Sequence, residues 1–423
     1  MFFCKNGEVM PAAGYNTGME RFQGYRIALL PDGATERQFR QSAGARRYVR
    51  NRALALQQER YAAGEKKLGY TALCKLAGTW RHDPATPWLQ SLHSQVLQQA
   101  LKDLEDAYAK FFAGKAGFPN FHKKGQDDKF RFPQSVKLDQ GNARIYLPKI
   151  GWVHYRKTRG VPGTVKSATV SCHGGRWYAS VPTQRDVRSP VHPATASVGI
   201  DVGIARFATL SDGTFIEPLN ALRRQVSHLA RMQRGLSRKV KFSRNWKKDK
   251  AKIGRLHTRI ADNRRDFLHK TTTAISQNHA LVIVEDLQVS NMSRSAKGTI
   301  KQPGRKVRQK AGLNRAILDQ GWGEFRRQLE YKQVWRGGEL LAIPPAYTSQ
   351  TCPVCGHIHA NNRKTQALFL CVKCGYTEHA DLVGALNILR AGHARCACGE
   401  VALSGPSMKQ EPTEATMHEI LCV

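Results

Sequence analysis

The sequence predicts a multidomain fold of the α/β plus β-barrel class, and three observations predict it. The apolar period is three to four over residues 35–112 and changes to two over residues 129–182. Beyond that, two short apolar runs, residues 198–202 and 280–284, flank a long helical stretch. Near the C-terminal end, two Cys-x-x-Cys pairs stand 15 residues apart.

Taken in order, residues 22–30 (FQGYRIALL) form the first strand, closed by the turn residues Pro31, Asp32 and Gly33. In the helical block that follows, Leu89, Leu92, Val96, Leu97, Leu101, Leu104, Tyr108 and Phe111 recur at helical spacing and mark a core stripe. Arg37, Arg40, Arg46, Arg47, Arg50 and Arg52 on the other faces fit either a solvated surface or an RNA-facing one. Next, KFRFP, VKLDQGNARIYLP, GWVHYRK and VKSATVSCHGGRWYASVP alternate around turn signals at 139–142 and Gly174-Gly175, the pattern of a small antiparallel barrel. The first strand is expected to join it, making the helices an insertion. Phe130, Arg131 and Phe132, and Trp152, His154, Tyr155, Arg156 and Lys157, interleave rings with cations, as base stacking or half-buried barrel aromatics would. A linker covers residues 189–197, and a helical pair over residues 219–275 holds 17 Lys/Arg against 3 Asp, which favours a nucleic-acid backbone. Residues 396–423 contain four Glu and one Lys without a period and are expected to be an acidic tail.

Charge narrows the function. The chain has 423 residues, with 67 Lys+Arg, 32 Asp+Glu and a formal charge of +35, which calls for a polyanionic partner. No apolar run approaches the roughly 18 residues of a spanning helix, and the start, MFFCKNGEVMPAAGYN, lacks the order of a signal peptide. Nucleic acid is therefore favoured over a membrane. Six of the ten cysteines are scattered, which is no disulfide framework and implies a reducing, cytoplasmic setting.

Two constellations carry chemistry. In TCPVCGHIHANNRKTQALFLCVKCGY, Cys352, Cys355, Cys371 and Cys374 have zinc-ribbon spacing, each pair on a tight turn, so four thiolates would close a structural Zn²⁺ site. His357 and His359 are then surface residues. The second constellation is Asp201 on an apolar strand between Gly199 and Gly203, Glu285 at the carboxyl end of HALVIVEDL, and Asp381 opening a helix with Leu382, Ala385, Leu386 and Leu389 as its apolar face. Three acids on one sheet edge would hold Mg²⁺ for phosphodiester hydrolysis, two ions being about 4 Å apart in such sites. Taken singly, Asp212 fits a turn, Asp286 a helix cap and Glu378 a surface charge.

With these residues assembled, the chain resembles the TnpB family of transposon-encoded RNA-guided nucleases and the compact type V CRISPR effectors related to it. The resemblance spans residues 21–395 and runs through LQQALKDLEDAYAKFF, GFPNFHKKG, GIDVGIARFATLSDG, VIVEDLQVSNM, GWGEFRRQLEYK, YTSQTCPVCGH, CVKCGY and DLVGALNIL in family order. It implies a wedge barrel (1–34 and 125–190) with an inserted helical recognition domain (35–124). An RNase H-like RuvC nuclease domain (195–345 and 376–395) follows, interrupted by the zinc ribbon (346–375), and then the tail (396–423). It further implies that Asp201, Glu285 and Asp381 are catalytic magnesium ligands, and that guide RNA and double-stranded target DNA are the partners. The family pattern D-x-D-x-N-A-A is changed here, with His379 at its first Asp and Val383 at its Asn. The expected activity is RNA-guided, two-metal-ion DNA cleavage beside a short flanking motif. The alternatives are an RNA-guided binder or repressor without cleavage and a DNA-joining transposase.

Overall fold

A computed structural model describes residues 18–397, in two units that divide between Arg188 and Ser189. Residues 1–17, and all but the first two residues of the expected acidic tail, lie outside the described residues.

The first unit begins with β1 (Gly18–Leu29), and Asp32 then caps α1 (Gly33–Ala62) by accepting from the Thr35 amide at 2.7 Å. Next come α2 (Tyr70–His82) and α3 (Ser94–Phe112). The helix expected from Trp88 onward starts at Ser94, because Pro87–Leu89 forms a separate 3₁₀ turn. Most of the expected stripe is core: Leu89, Leu92, Leu97, Leu101, Leu104 and Tyr108 are buried with Val49, Leu54 and Leu73, Val96 joins the core of the sheet, and Phe111 is only part-buried. Arg46 is buried too, paired with Asp103 at 2.7 Å and Asp127 at 3.0 Å.

Seven strands follow: β2 (Lys129–Phe132), β3 (Lys137–Asp139), β4 (Arg144–Leu147), β5 (Gly151–Arg156), β6 (Thr164–Val165), β7 (Ala168–His173) and β8 (Arg176–Arg188). They order as β2-β7-β8-β1-β5-β4-β3, with β6 also on β8, so the first strand does join the sheet. The expected barrel is corrected: no pairing joins β2 to β3 among the described residues, and the ladder is open. Pro133 and the left-handed Ser135 (φ 63°) separate these two short edge strands. Helix residues cover the core instead, with the Phe39 ring against Phe130 and Trp177 at 5.7 and 5.1 Å. Phe130, Phe132 and Tyr155 belong to that core, whereas Trp152 is exposed under Arg144.

In the second unit, β9 (Ser197–Val202), β10 (Ala208–Leu210), β11 (Phe215–Ile216), β12 (Leu281–Glu285) and β13 (Glu339–Ile343) order as β11-β10-β9-β12-β13. The pairs β9–β12 and β12–β13 are parallel, and β10 and β11 run antiparallel. The basic stretch forms α4 (Val226–Ser237) and α5 (Arg244–Asn278), held together by Leu229, Ile253, Leu256 and Ile260. After the single turn α6 (Val289–Met292) come α7 (Val307–Gln320) and α8 (Trp322–Arg336). The hairpin β14 (Leu368–Leu370) and β15 (Thr377–His379) precedes α9 (Ala380–Ala397).

Strand alternation sorts the sheet into two faces. Val198, Ile200, Val282 and Val284 join Leu268, Ile275, Phe325 and Leu329 from α5 and α8. Ile283, Leu341 and Ile343 face the other way and pack on Ile388 of α9. No helix among the described residues is long and apolar enough to cross a membrane.

Candidate active site and cysteine cluster

The alternation that sends Val198 and Ile200 to the α5 and α8 face sends Gly199 and Asp201 to the α9 face. By the same parity Ile283 carries Glu285 with it. Because Ile200 is in register with Val284, Asp201 and Glu285 come next to each other at the carboxyl ends of adjacent parallel strands. Asp381 lies in the first turn of α9, which crosses this face.

Close approach of α9 depends on glycine. A Cβ on Gly199 would stand 2.3 Å from the Ala385 carbonyl oxygen, and one on Gly384 would stand 3.0 Å from Asp201 Oδ2. The buried stripe of α9 accordingly runs through Val383, Gly384, Ala385, Asn387, Ile388 and Gly392; of the expected face Ala385 is buried, while Leu382, Leu386 and Leu389 are only part-buried. Val383 is buried in an apolar cluster with Cys352, Phe369 and Cys371.

The site is electrostatically strained. Burial, and after it the negative charges of Glu285 and Asp381, push the Asp201 carboxyl up to about 7, with Arg363 opposing. Burial also raises Glu285, against the Thr348 hydroxyl and Arg363.

Three contributors were not read from the sequence. Thr348 Oγ1 donates to Glu285 Oε1 at 2.7 Å. Arg363 Nη2 lies 3.7 Å from Asp381 Oδ1. Asn387 Nδ2 donates to the carbonyls of Thr348 and Thr351 at 2.8 and 2.7 Å, fastening the Thr348 segment to α9. TSQTC and NNRK are loop sequences whose partners lie far along the chain, so no local period announces them. His379 Nδ1 accepts from the Asp381 amide at 3.2 Å, and its ring meets Phe215 edge-on. Of the other acids, Asp212 closes its turn by accepting from the Thr214 amide, Asp286 pairs with Arg326 instead of capping a helix, and Glu378 accepts from the His379 amide.

Among the described residues, Cys352, Cys355, Cys371 and Cys374 are the group whose ligand atoms all lie within 4.8 Å of one another. The Cys352–Cys374 and Cys355–Cys371 sulfurs are 3.7 and 3.6 Å apart. A Zn–S distance of about 2.3 Å gives a tetrahedron with edges of about 3.8 Å, so the four thiols fit zinc. Left-handed Gly356 (φ 71°) and Gly375 (φ 74°) close the two knuckles, their amides donating to the carbonyls of Cys352 and Cys371 at 3.0 Å.

The chain is similar to known proteins along most of its length. Residues 180–296 match the OrfB family of IS605, described as "Probable transposase", and residues 322–388 match "Cas12f1-like, TNB domain". A helix-turn-helix family of the same type matches residues 19–66, which here form β1 and the single continuous helix α1. InsQ of Escherichia coli (strain K12), named as an RNA-guided DNA endonuclease, is 57% identical over 396 residues, 94% of this chain and 98% of that protein. A Streptomyces pristinaespiralis protein named in the same way is 32% identical over 93% of this chain and 96% of its own length. In fold, the chain is similar to Cas12f1 in a complex with guide RNA and target DNA, with a TM-score of 0.50 at 13% identity over 88% of this chain and 98% of that one.

Proposed function

Because the chain belongs to the TnpB (IS605 OrfB) family, we propose that it is an RNA-guided DNA endonuclease with a RuvC-like site at Asp201, Glu285 and Asp381. It selects double-stranded DNA beside a short flanking motif through base pairing with a guide RNA, and it works in a prokaryotic cytoplasm. The observation that carries the reading is the meeting of the three acids on the α9 face of a β11-β10-β9-β12-β13 sheet. That strand order supports the RNase H-like reading, with the ribbon (346–375) inserted between β13 and α9. The wedge (1–34 and 125–190) and helical recognition (35–124) domains would grip guide RNA and the flanking duplex.

The donor set fits Mg²⁺: hard oxygens, with a repulsion at Asp201 that a cation would relieve. Bound there, Mg²⁺ would stabilise the attacking and leaving oxygens of an in-line displacement. Thr348 orients the Glu285 carboxylate, and Arg363 places a fixed guanidinium beside Asp381 where a phosphate oxygen is drawn in. Zn²⁺ on the four cysteines would hold the segment that carries both. The presence of all three acids argues against the binder-only alternative, and Val383 at the family's Asn position argues slightly for it.

The test is to copurify the protein with its RNA, sequence that RNA and incubate the complex with matching duplex and Mg²⁺. Guide-dependent cutting that Asp201→Ala abolishes is expected. Cutting that survives the substitution would overturn the site, and guide-dependent binding without cutting would favour the repressor reading.

A further inference from the structure

The tip of the α4–α5 hairpin carries more than steering charge. Between the two helices Val240 and Phe242 stand 79% and 64% exposed, and Trp246 sits in the first turn of α5. The Phe242 and Trp246 rings lie 5.5 Å apart, with Lys241 and Lys250 over them at 5.4 and 5.0 Å. The core of the hairpin uses neither ring.

Phe242 also has φ 69°, a left-handed conformation that glycine or asparagine adopts with less strain. The chain turns there, with the Ser243 amide donating to the Val240 carbonyl at 3.1 Å and Ser243 Oγ capping α5 through the Trp246 amide at 3.2 Å. A merely solvated turn needs neither a strained phenylalanine nor an exposed ring.

Charge at the tip is one-sided. Residues 238–250 hold seven Lys/Arg and one Asp, and Asp249 is taken by Lys239 and Lys252. Among the described residues no carboxylate pairs with Arg238, Lys241, Arg244, Lys247, Lys248 or Lys250. An exposed Phe242 ring beside a part-buried Trp246, set among surplus cations, makes a surface on which bases stack while their phosphates are neutralised.

We propose that Phe242 and Trp246 form a stacking platform for unpaired nucleotides of the guide RNA. This rests on the guide-RNA reading above. RNA is favoured over target DNA because a folded RNA offers base faces in loops and bulges at all times, whereas the DNA frees its bases only once the guide has opened the duplex.

The experiment titrates full-length protein, freed of RNA, with two probes at several salt concentrations. One is the copurified RNA, and the other is a synthetic RNA stem-loop set against the same stem fully paired. Phe242→Ala and Trp246→Ala should each weaken binding of the copurified RNA and the stem-loop about tenfold, leaving the salt slope and the paired control unchanged. Trp246→Phe should retain affinity. Phe242→Gly should melt at the same or a higher temperature while binding as weakly as Phe242→Ala, because glycine relieves the strain and removes the ring. Unchanged RNA affinity in the double alanine variant would overturn the platform, as would a loss seen only with a single-stranded DNA oligonucleotide titrated in parallel. If no RNA copurifies while the stem-loop behaves as expected, the guide-RNA reading fails and the platform stands.

Discussion

At Asp201, function and stability pull in opposite directions. Burial and two neighbouring carboxylates raise its pKa from 3.8 to about 7, so the folded state keeps a proton that the unfolded chain releases. Stability is therefore lost as pH rises from about 4 through 7. Asp201→Asn is expected to abolish cleavage and to stabilise the fold by about 2 kcal/mol at pH 8, with the gain vanishing near pH 4. Thermal melting of both proteins across that range checks this, and coincident curves at pH 8 would show that the acids do not repel. Asp201, Glu285 and Asp381 were legible because each sits where strand and helix patterns end. Arg363 and Thr348 were not, since a loop arginine or threonine acquires its role only when distant chain packs beside it. The rings of Phe130 and Phe132 show a further limit: alternation puts both on one face but does not say that this face is the core.

Among the elements, α9 and the segment after β13 act together. Tyr347 (φ 62°) turns the chain so that Thr348 reaches Glu285, while Asn387 holds the Thr348 and Thr351 carbonyls. Thr348→Val should slow cleavage by about ten- to hundredfold, the worth of a hydrogen bond to a charged group, without changing the yield of bound RNA. Thr348→Ser should restore the rate, and equal rates in all three proteins would remove Thr348 from the site. Gly199→Ala forces a methyl against the Ala385 carbonyl and should cost about 1–3 kcal/mol in denaturant unfolding. An unchanged midpoint would mean that α9 can shift. The leucines of α9 pointed to another stripe because counting apolar residues overlooks glycines, and here Gly384 and Gly392 let the helix lie against Asp201 and Ile283.

Across the whole molecule, the +35 charge and the four cysteines do separate work. Stripping zinc with a zinc-selective chelator, with Mg²⁺ kept in excess, should release the segment bearing Thr348 and Arg363 and abolish cutting, while RNA stays bound through the basic surfaces. Loss of RNA together with the metal would contradict that division. Copurified RNA should also dissociate steeply with salt, since each neutralised duplex phosphate contributes a slope of about −0.9. The two-unit division and most elements followed from period and linker composition, whereas closure of the β-sheet depended on edge geometry that no local pattern encodes.

The contact of Gly199 with Ala385 and Leu389 joins positions more than 180 residues apart. Such pairings form late, because a long loop must close before its contacts stabilise it. Hairpins such as α4–α5 assemble from neighbours and can form early. On that ordering the α4–α5 hairpin would be complete before α9 docks on β9 and brings Asp381 to Asp201 and Glu285.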